Sequence, residues 1–334
     1  MGSGKGGGEL GMNLGYDKAL YLLPFDHRHS YVTDMFDLEP PLTLAQCDEV
    51  IDSKQLIYEG FRQALTEGVP VEAAAILVDE EFGAAILRDA RSRGCVTALS
   101  VERSGTDEFE FEYGADFATH IEAFDPTFAK VLVRYNPEGN PALNLRQVGR
   151  LKQLSEHCRR SQRKFMFELL VPPTDQQLAH AGGNKDVFDR QARPLLMQQT
   201  LRALQDAGIE PDVWKVEGLD NQGDGESIVA IAQRGGRNQV GCIVLGRGAD
   251  EAKVRSWLTV AAGVPGFIGF AVGRTSFWDA VSGYRAQTLS RAEAATQIAA
   301  RLRGWVDTFE GARQARAAFA GLEASLRQIG RAHV

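Results

Sequence analysis

The chain has 334 residues, 44% of them hydrophobic, with a net charge of −7 and four cysteines. That size supports one large domain or two small ones around a sizeable core, and the acidic balance argues against a protein held to nucleic acid by phosphate attraction. No apolar run reaches the ~18 residues of a membrane-spanning helix. Cys47, Cys95, Cys158 and Cys242 lack CxxC spacing and read as reduced thiols of a cytoplasmic protein, neither zinc ligands nor a disulfide frame.

The opening "MGSGKGGGEL" lacks the charged-then-apolar layout of a signal peptide. Residues 1–15 are expected to be a disordered leader, and 16–334 a single domain. The "GSGK" at 2–5 has neither the spacing of a phosphate loop nor a strand before it.

From there, short apolar runs alternate with longer amphipathic ones. Strands are predicted at 19–25, 73–78, 96–101, 130–135, 164–171, 212–217, 241–246 and 266–272. Helical patterns fall between them, at 45–66, 142–160, 187–207, 225–234 and 250–262. Strand–helix alternation implies parallel pairing through right-handed crossovers. Eight units imply a closed (β/α)8 TIM barrel, and the missing glycine fingerprint after the first strand disfavours an open doubly wound sheet. Segments 290–309 and 311–330, rich in Ala, Arg and Leu, are expected to form two further helices. They would pack outside the barrel or pair with another subunit as a homo-oligomer.

In such a barrel the reacting groups sit late in the strands and point inward. Alternation puts Leu20, Leu22, Pro24, Asp26 and Arg28 in one phase of the first strand. The same phase holds Lys130, Leu132 and Arg134 in the fourth, Met166, Glu168 and Leu170 in the fifth, and Val213, Lys215 and Glu217 in the sixth. The opposite phase is apolar and suits contact with helices. An inert interior would not keep such charges without partners or a task. A buried amine beside a second cation holds its proton less tightly, and a neutral amine attacks a carbonyl to form a Schiff base. A nearby glutamate can carry the protons. Lys215, Lys130 and Glu168 are therefore the catalytic candidates. Asp26, Arg28, Arg134 and Glu217 are substrate-binding candidates. After the seventh and eighth strands, "LGRGAD" and "FAVGRTSF" each carry a Gly-Arg pair where these barrels commonly hold phosphate. Gly246, Arg247, Gly248, Gly273 and Arg274 are the phosphate-binding candidates.

The stretches "PFDHRHS", "LVDEEFGAAILRDARSRG", "SVERSG", "KVLVRYNPEG", "FELLVPP", "WKVEGLD", "VLGRGADEAKVRSWL" and "GFIGFAVGRTSFWD" span about 24–279. In that order they resemble the class I aldolases that include tagatose-1,6-bisphosphate aldolase. The resemblance is closer to the aldolase-like C-terminal domain that follows a sugar kinase, 5-dehydro-2-deoxygluconokinase, in bacterial inositol-catabolism proteins. It implies Lys215 as the Schiff-base lysine, Lys130 and Glu168 as its acid–base neighbours, Asp26 and Arg28 as substrate contacts, and the 273–274 loop as the phosphate site. It implies neither metal nor cofactor. The expected substrate is a phosphorylated keto sugar or keto sugar acid, foremost 2-deoxy-5-keto-D-gluconate 6-phosphate. Tagatose-type relatives carry Asp-Gln-Arg-Gly where this chain has Asp26-His27-Arg28-His29, so a different sugar pocket is expected. The "HRH" also mimics the His-x-His of metal-dependent amidohydrolase barrels, but the further late-strand histidines are missing. A non-catalytic sugar-phosphate sensor would have no need of the lysine nucleophile.

Overall fold

The structure, a computed structural model, describes residues 14–331. Most of the expected leader, with its "GSGK", lies outside them. Within the leader's range, the Gly15 N–H donates to Asp212 Oδ1 at 2.7 Å and Leu14 packs on the core.

Eight strands, β1 (Leu20–Pro24), β2 (Ala74–Val78), β3 (Val96–Ser100), β4 (Phe128–Arg134), β5 (Lys164–Leu170), β6 (Val213–Glu217), β7 (Gly241–Leu245) and β8 (Phe267–Ala271), form one closed, all-parallel barrel in sequence order. The helices around it are α1 (His29–Phe36), α2 (Leu44–Thr66), α3 (Glu80–Ser92), α4 (Phe117–Phe124), α5 (Pro141–Ser161), α6 (Asp175–His180), α7 (Lys185–Gln191), α8 (Arg193–Asp206), α9 (Gln222–Ala232), α10 (Glu251–Ala262), α11 (Arg274–Arg285) and α12 (Arg291–Arg331). This is the (β/α)8 barrel with a C-terminal helical extension that the alternation implied.

Strand alternation produces two separate apolar layers. Leu20, Leu22, Ala75, Leu77, Ala98, Phe128, Met166, Val213 and Ile243 fill the lower barrel interior. Tyr21, Leu23, Ile76, Val131, Phe167, Trp214 and Val244 face the helices in the larger outer core.

Two helices differ from the sequence pattern. The run at 187–207 is divided, with α8 starting at Arg193 and Pro194 in its first turn. Proline lacks an N–H and clashes with the preceding turn, so it fits a helix start and not its interior. In contrast, 291–331 is one helix where two were expected. Gly311 has open space around it, and a single glycine costs a helix only about 1 kcal/mol.

Barrel closure depends on a close approach between β8 and β1. A Cβ on Gly269 would lie 1.8 Å from the Leu20 carbonyl oxygen, a backbone atom that cannot step aside. Gly269→Ala should therefore destabilise the protein by about 3 kcal/mol, the upper range for overpacking. The measurement is the urea midpoint, which should fall with little change in slope.

Candidate active site

The C-terminal mouth of the barrel opens into a cavity of about 460 Å³. Its floor is a charged cluster centred on Lys130, which is buried on β4. Lys130 Nζ donates to Asp26 Oδ2 at 2.7 Å and Glu102 Oε1 at 2.7 Å, and pairs with Glu168 Oε2 at 2.9 Å. The same Glu168 oxygen lies 2.7 Å from Lys215 Nζ on β6. One carboxylate oxygen thus joins the two lysines. Glu168 and Lys215 are register partners on adjacent strands, which fixes this contact through the backbone.

The charges tune one another. Burial works against the Lys130 charge, but Asp26, Glu102 and Glu168 outweigh it and hold its proton affinity well above the ordinary lysine value. Burial also opposes the Asp26 charge; Lys130, His27 and Lys215 overcome it and hold the carboxyl well below its usual range. For Glu168, burial is likewise outweighed, by Lys130 and Lys215, and the carboxyl is held low. Glu102 goes the other way. Burial dominates its nearby Lys130 and Arg28, and its carboxyl is pushed up. Its Oε2 is enclosed and has no hydrogen-bond partner.

Glu102 escaped the sequence reading, and His27 entered it only as half of a His-x-His metal mimic. Ala98, Ser100 and Glu102 share the interior phase, but the residues before Glu102 are small and uncharged, and β3 ends at Ser100. His27 has the opposite phase to Asp26 and Arg28. Because β1 ends at Pro24, alternation stops there, and all three residues line the cavity.

The remaining candidates divide into those that face the cavity freely and those already held. Arg28 is buried; its guanidinium donates to Glu112 Oε2 at 2.7 Å and to the Glu102 carbonyl. It therefore fixes the backbone that carries Glu102. Glu217 does not line the cavity. It accepts from the Val171 N–H at 2.9 Å and pairs with Arg193 at 2.9 Å and Arg247 at 3.1 Å. Arg247 lines the cavity but donates to Asp189 Oδ2 at 2.7 Å, and its backbone is left-handed with φ 52°. Arg134 lines the cavity with its side chain 41% exposed; it donates to the Thr106 carbonyl at 3.1 Å and has Asp107 3.9 Å away. Arg274 donates to Ser30 Oγ at 2.8 Å and is followed by the rest of α11.

Gly246, Gly248 and Gly273 line the same cavity as Lys215. The start of α11 has Gly273 as its N-cap and no side-chain capping bond, leaving the helix N-terminus for other acceptors. A Cβ on Gly273 would meet the Pro24 carbonyl oxygen at 2.4 Å, so glycine is required where this turn crosses the end of β1.

His27 and His29 both line the cavity, His27 beside Asp26 and His29 more exposed, with its backbone N–H bonded to Ser104 Oγ at 3.1 Å. The point where Asp26, Glu102 and Glu168 converge is filled by Lys130 Nζ. Among the described residues, no three His, Cys, Asp or Glu side chains are grouped to hold a metal ion. No helix among them is long and apolar enough to cross a membrane.

Parallel strands, a mouth cavity and the buried lysine–carboxylate floor belong to one closed (β/α)8 barrel. The solved structure of fructose-bisphosphate aldolase from Plasmodium falciparum, in complex with TRAP and a small-molecule inhibitor, is similar over 89% of this chain and 98% of its own, with TM-score 0.56 and 12% identity. Cgl0159 from Corynebacterium glutamicum (Brevibacterium flavum) is similar over 88% of each chain, with TM-score 0.50 and 16% identity. No curated protein matches the sequence. The family model described as "uncharacterized protein conserved in bacteria (DUF2090)" matches residues 14–313, and the chain belongs to that family.

His27 gives the site a pH signature. Burial, opposed by Asp26 and reinforced by Arg274 and Lys215, lowers its imidazole from 6.5 to about 4. Below its unfolded value the unfolded chain binds this proton and the folded chain does not, so stability falls with falling pH. The window runs from about 6.5 down to about 4 and ends there, once both states are protonated. His27→Gln should remove up to about 1.4 kcal/mol per pH unit of acid destabilisation in that window. Urea unfolding of parent and variant at several pH values measures the difference.

Proposed function

We propose that the protein is a Schiff-base aldolase acting on a phosphorylated ketose or keto sugar acid. The observation that carries this reading is Lys215, buried at the cavity floor and hydrogen-bonded to the carboxylate oxygen that Lys130 also holds. A surface lysine has no such surroundings, and a barrel interior does not keep two ammonium groups without a task.

In this mechanism Glu168 takes the proton from the Lys215 ammonium over its 2.7 Å contact, freeing the amine. Lys215 Nζ attacks the ketone carbon to give a carbinolamine. Glu168 returns the proton to the departing hydroxyl, and water leaves from an iminium. The neighbouring carbon–carbon bond then breaks, its electron pair entering the iminium to form an enamine. Protonation of the enamine and hydrolysis release the second product. Lys130 remains charged throughout, holding Asp26 and Glu168 in their anionic forms. Asp26 accepts a substrate hydroxyl.

The phosphate is assigned to the first turn of α11, where backbone N–H groups and the Arg274 guanidinium can surround it. Arg247 lies too firmly between Asp189 and Glu217 to be the principal contact, and it supports the loop instead. Arg134 takes the anionic far end of the substrate. A cation on each side of the reacting lysine suits a substrate charged at both ends. 2-Deoxy-5-keto-D-gluconate 6-phosphate, cleaved to dihydroxyacetone phosphate and malonate semialdehyde, has that form. So has tagatose 1,6-bisphosphate.

Two experiments test the reading. Dihydroxyacetone phosphate with borohydride should add the mass of a reduced adduct, mapped to Lys215. Lys215→Arg, which keeps the charge but cannot form an imine, should fold and lose nearly all turnover. An adduct on Lys130, or normal turnover in Lys215→Arg, would overturn the mechanism.

Arg274→Ala should raise KM for the cleaved sugar phosphate by at least about tenfold, as expected for a lost charge-assisted hydrogen bond. Steady-state kinetics on both substrates above provide the measurement; an unchanged KM removes Arg274 from the phosphate site.

A further inference from the structure

We infer that Glu102 is the group that exchanges a proton with the oxygen of the departing aldehyde, a task separate from the imine chemistry of Glu168. The inference rests on the Schiff-base reading and divides its proton transfers between two carboxyl groups.

The division follows from the order of contacts. Lys215 touches Glu168, Glu168 touches Lys130, and Lys130 touches Glu102. Glu168 is therefore beside the nitrogen that becomes the imine. Glu102 stands beyond Lys130, on the cavity lining, held by the Lys130 ammonium. A substrate anchored at Lys215 extends away from that nitrogen, and the carbon bearing the scissile hydroxyl is two bonds past the imine carbon.

Glu102 is also set apart chemically. Its side chain is 11% exposed, Oε1 is held by Lys130 at 2.7 Å, and Oε2 is the one enclosed carboxylate oxygen of the cluster without a partner. Rotation about the terminal side-chain bond is broad and two-fold, so either oxygen can be presented to the cavity. Asp26 is held well below the usual carboxylate range, and Glu168 is taken up by both lysines. Glu102, raised by burial, is the carboxyl of the cluster better matched to trading a proton with a hydroxyl.

Its positioning is specific. Arg28 donates to the Glu102 carbonyl and pairs with Glu112, and Glu102 bridges Phe111 across the loop that follows β3. The backbone on which the carboxyl rides is thereby tied to both the β1 end and its own loop.

In cleavage the hydroxyl proton passes to Glu102, the oxygen forms the aldehyde C=O, and the C–C bond pair moves into the iminium to give the enamine. In condensation Glu102 returns that proton to the aldehyde oxygen as the C–C bond forms.

The experiment separates these steps in Glu102→Gln, leaving Lys130 with Asp26 and Glu168. With dihydroxyacetone phosphate alone, borohydride should still trap the adduct at Lys215. Exchange of the ketose C–H proton in D2O, which needs only the enamine, should stay close to the parent rate. Condensation with glyceraldehyde 3-phosphate or malonate semialdehyde should fall at least about 100-fold, the low end for a lost general acid. Glu102→Asp should recover part of it. Condensation at the parent rate in Glu102→Gln overturns the assignment. So does a loss of C–H exchange in step with condensation, because Glu102 would then serve the imine and not the aldehyde. A parent that gives no adduct removes the Schiff-base reading itself, and this division with it.

Discussion

Everything at the mouth of this barrel depends on one buried ammonium group. Taking a lysine charge out of water costs several kcal/mol even after relaxation, and only well-placed carboxylates offset that cost. Lys130 meets it with Asp26, Glu102 and Glu168, drawn from the ends of three other strands. Beneath the cluster, Leu22, Leu77, Phe128, Met166 and Val213 seal the barrel against water. The charges therefore act across a low-dielectric floor, where each hydrogen bond is stronger and each unpaired group costlier. Lys215 joins through the shared Glu168 oxygen and inherits this order.

Arginines do a different job above that floor. Arg28, Arg193 and Arg247 spend their donors on loop carbonyls and carboxylates. Arg193 reaches Glu217 at 2.9 Å and the Gly218 carbonyl at 2.9 Å, while Arg247 reaches Asp189 and Glu217. A planar fork with several fixed donors suits such crosslinks between neighbouring loops. The loops after β5, β6 and β7 are consequently one connected rim. Arg134 and Arg274 line the same cavity with more of their side chains exposed, 41% and 35%.

The strand order, the interior phase and the lysine–glutamate core were legible because each rests on a local rule. Alternation alone brought Lys130, Glu168 and Lys215 to one face, and burial of their neighbours told which face. Alternation fails where strands end. Glu217 keeps the interior phase yet turns to Arg193, and His27 has the wrong phase yet lines the cavity. Whether an arginine meets a ligand or a loop carboxylate depends on contacts tens of residues away, such as Arg28 with Glu112 or Arg247 with Asp189. Residue type and spacing do not encode those distances. The same holds for Glu102, whose character comes from enclosure and an unmatched oxygen.

Helix α12 follows all eight strands in the chain, yet it packs against α2, which follows the first, as well as α10 and α11. Ile298 lies over Gly60, Arg291 pairs with Asp52 and Glu59 at 2.8 Å, and Trp305 Nε1 donates to Ser276 Oγ at 2.9 Å. It thus straps the outside of the β8–β1 seam, the seam that Gly269 lets close. The Arg291 and Ile298 contacts with α2 span more than two hundred residues, the separation that makes loop closure slow. During synthesis the face of α2 that α12 covers therefore stays open until more than two hundred further residues have been made.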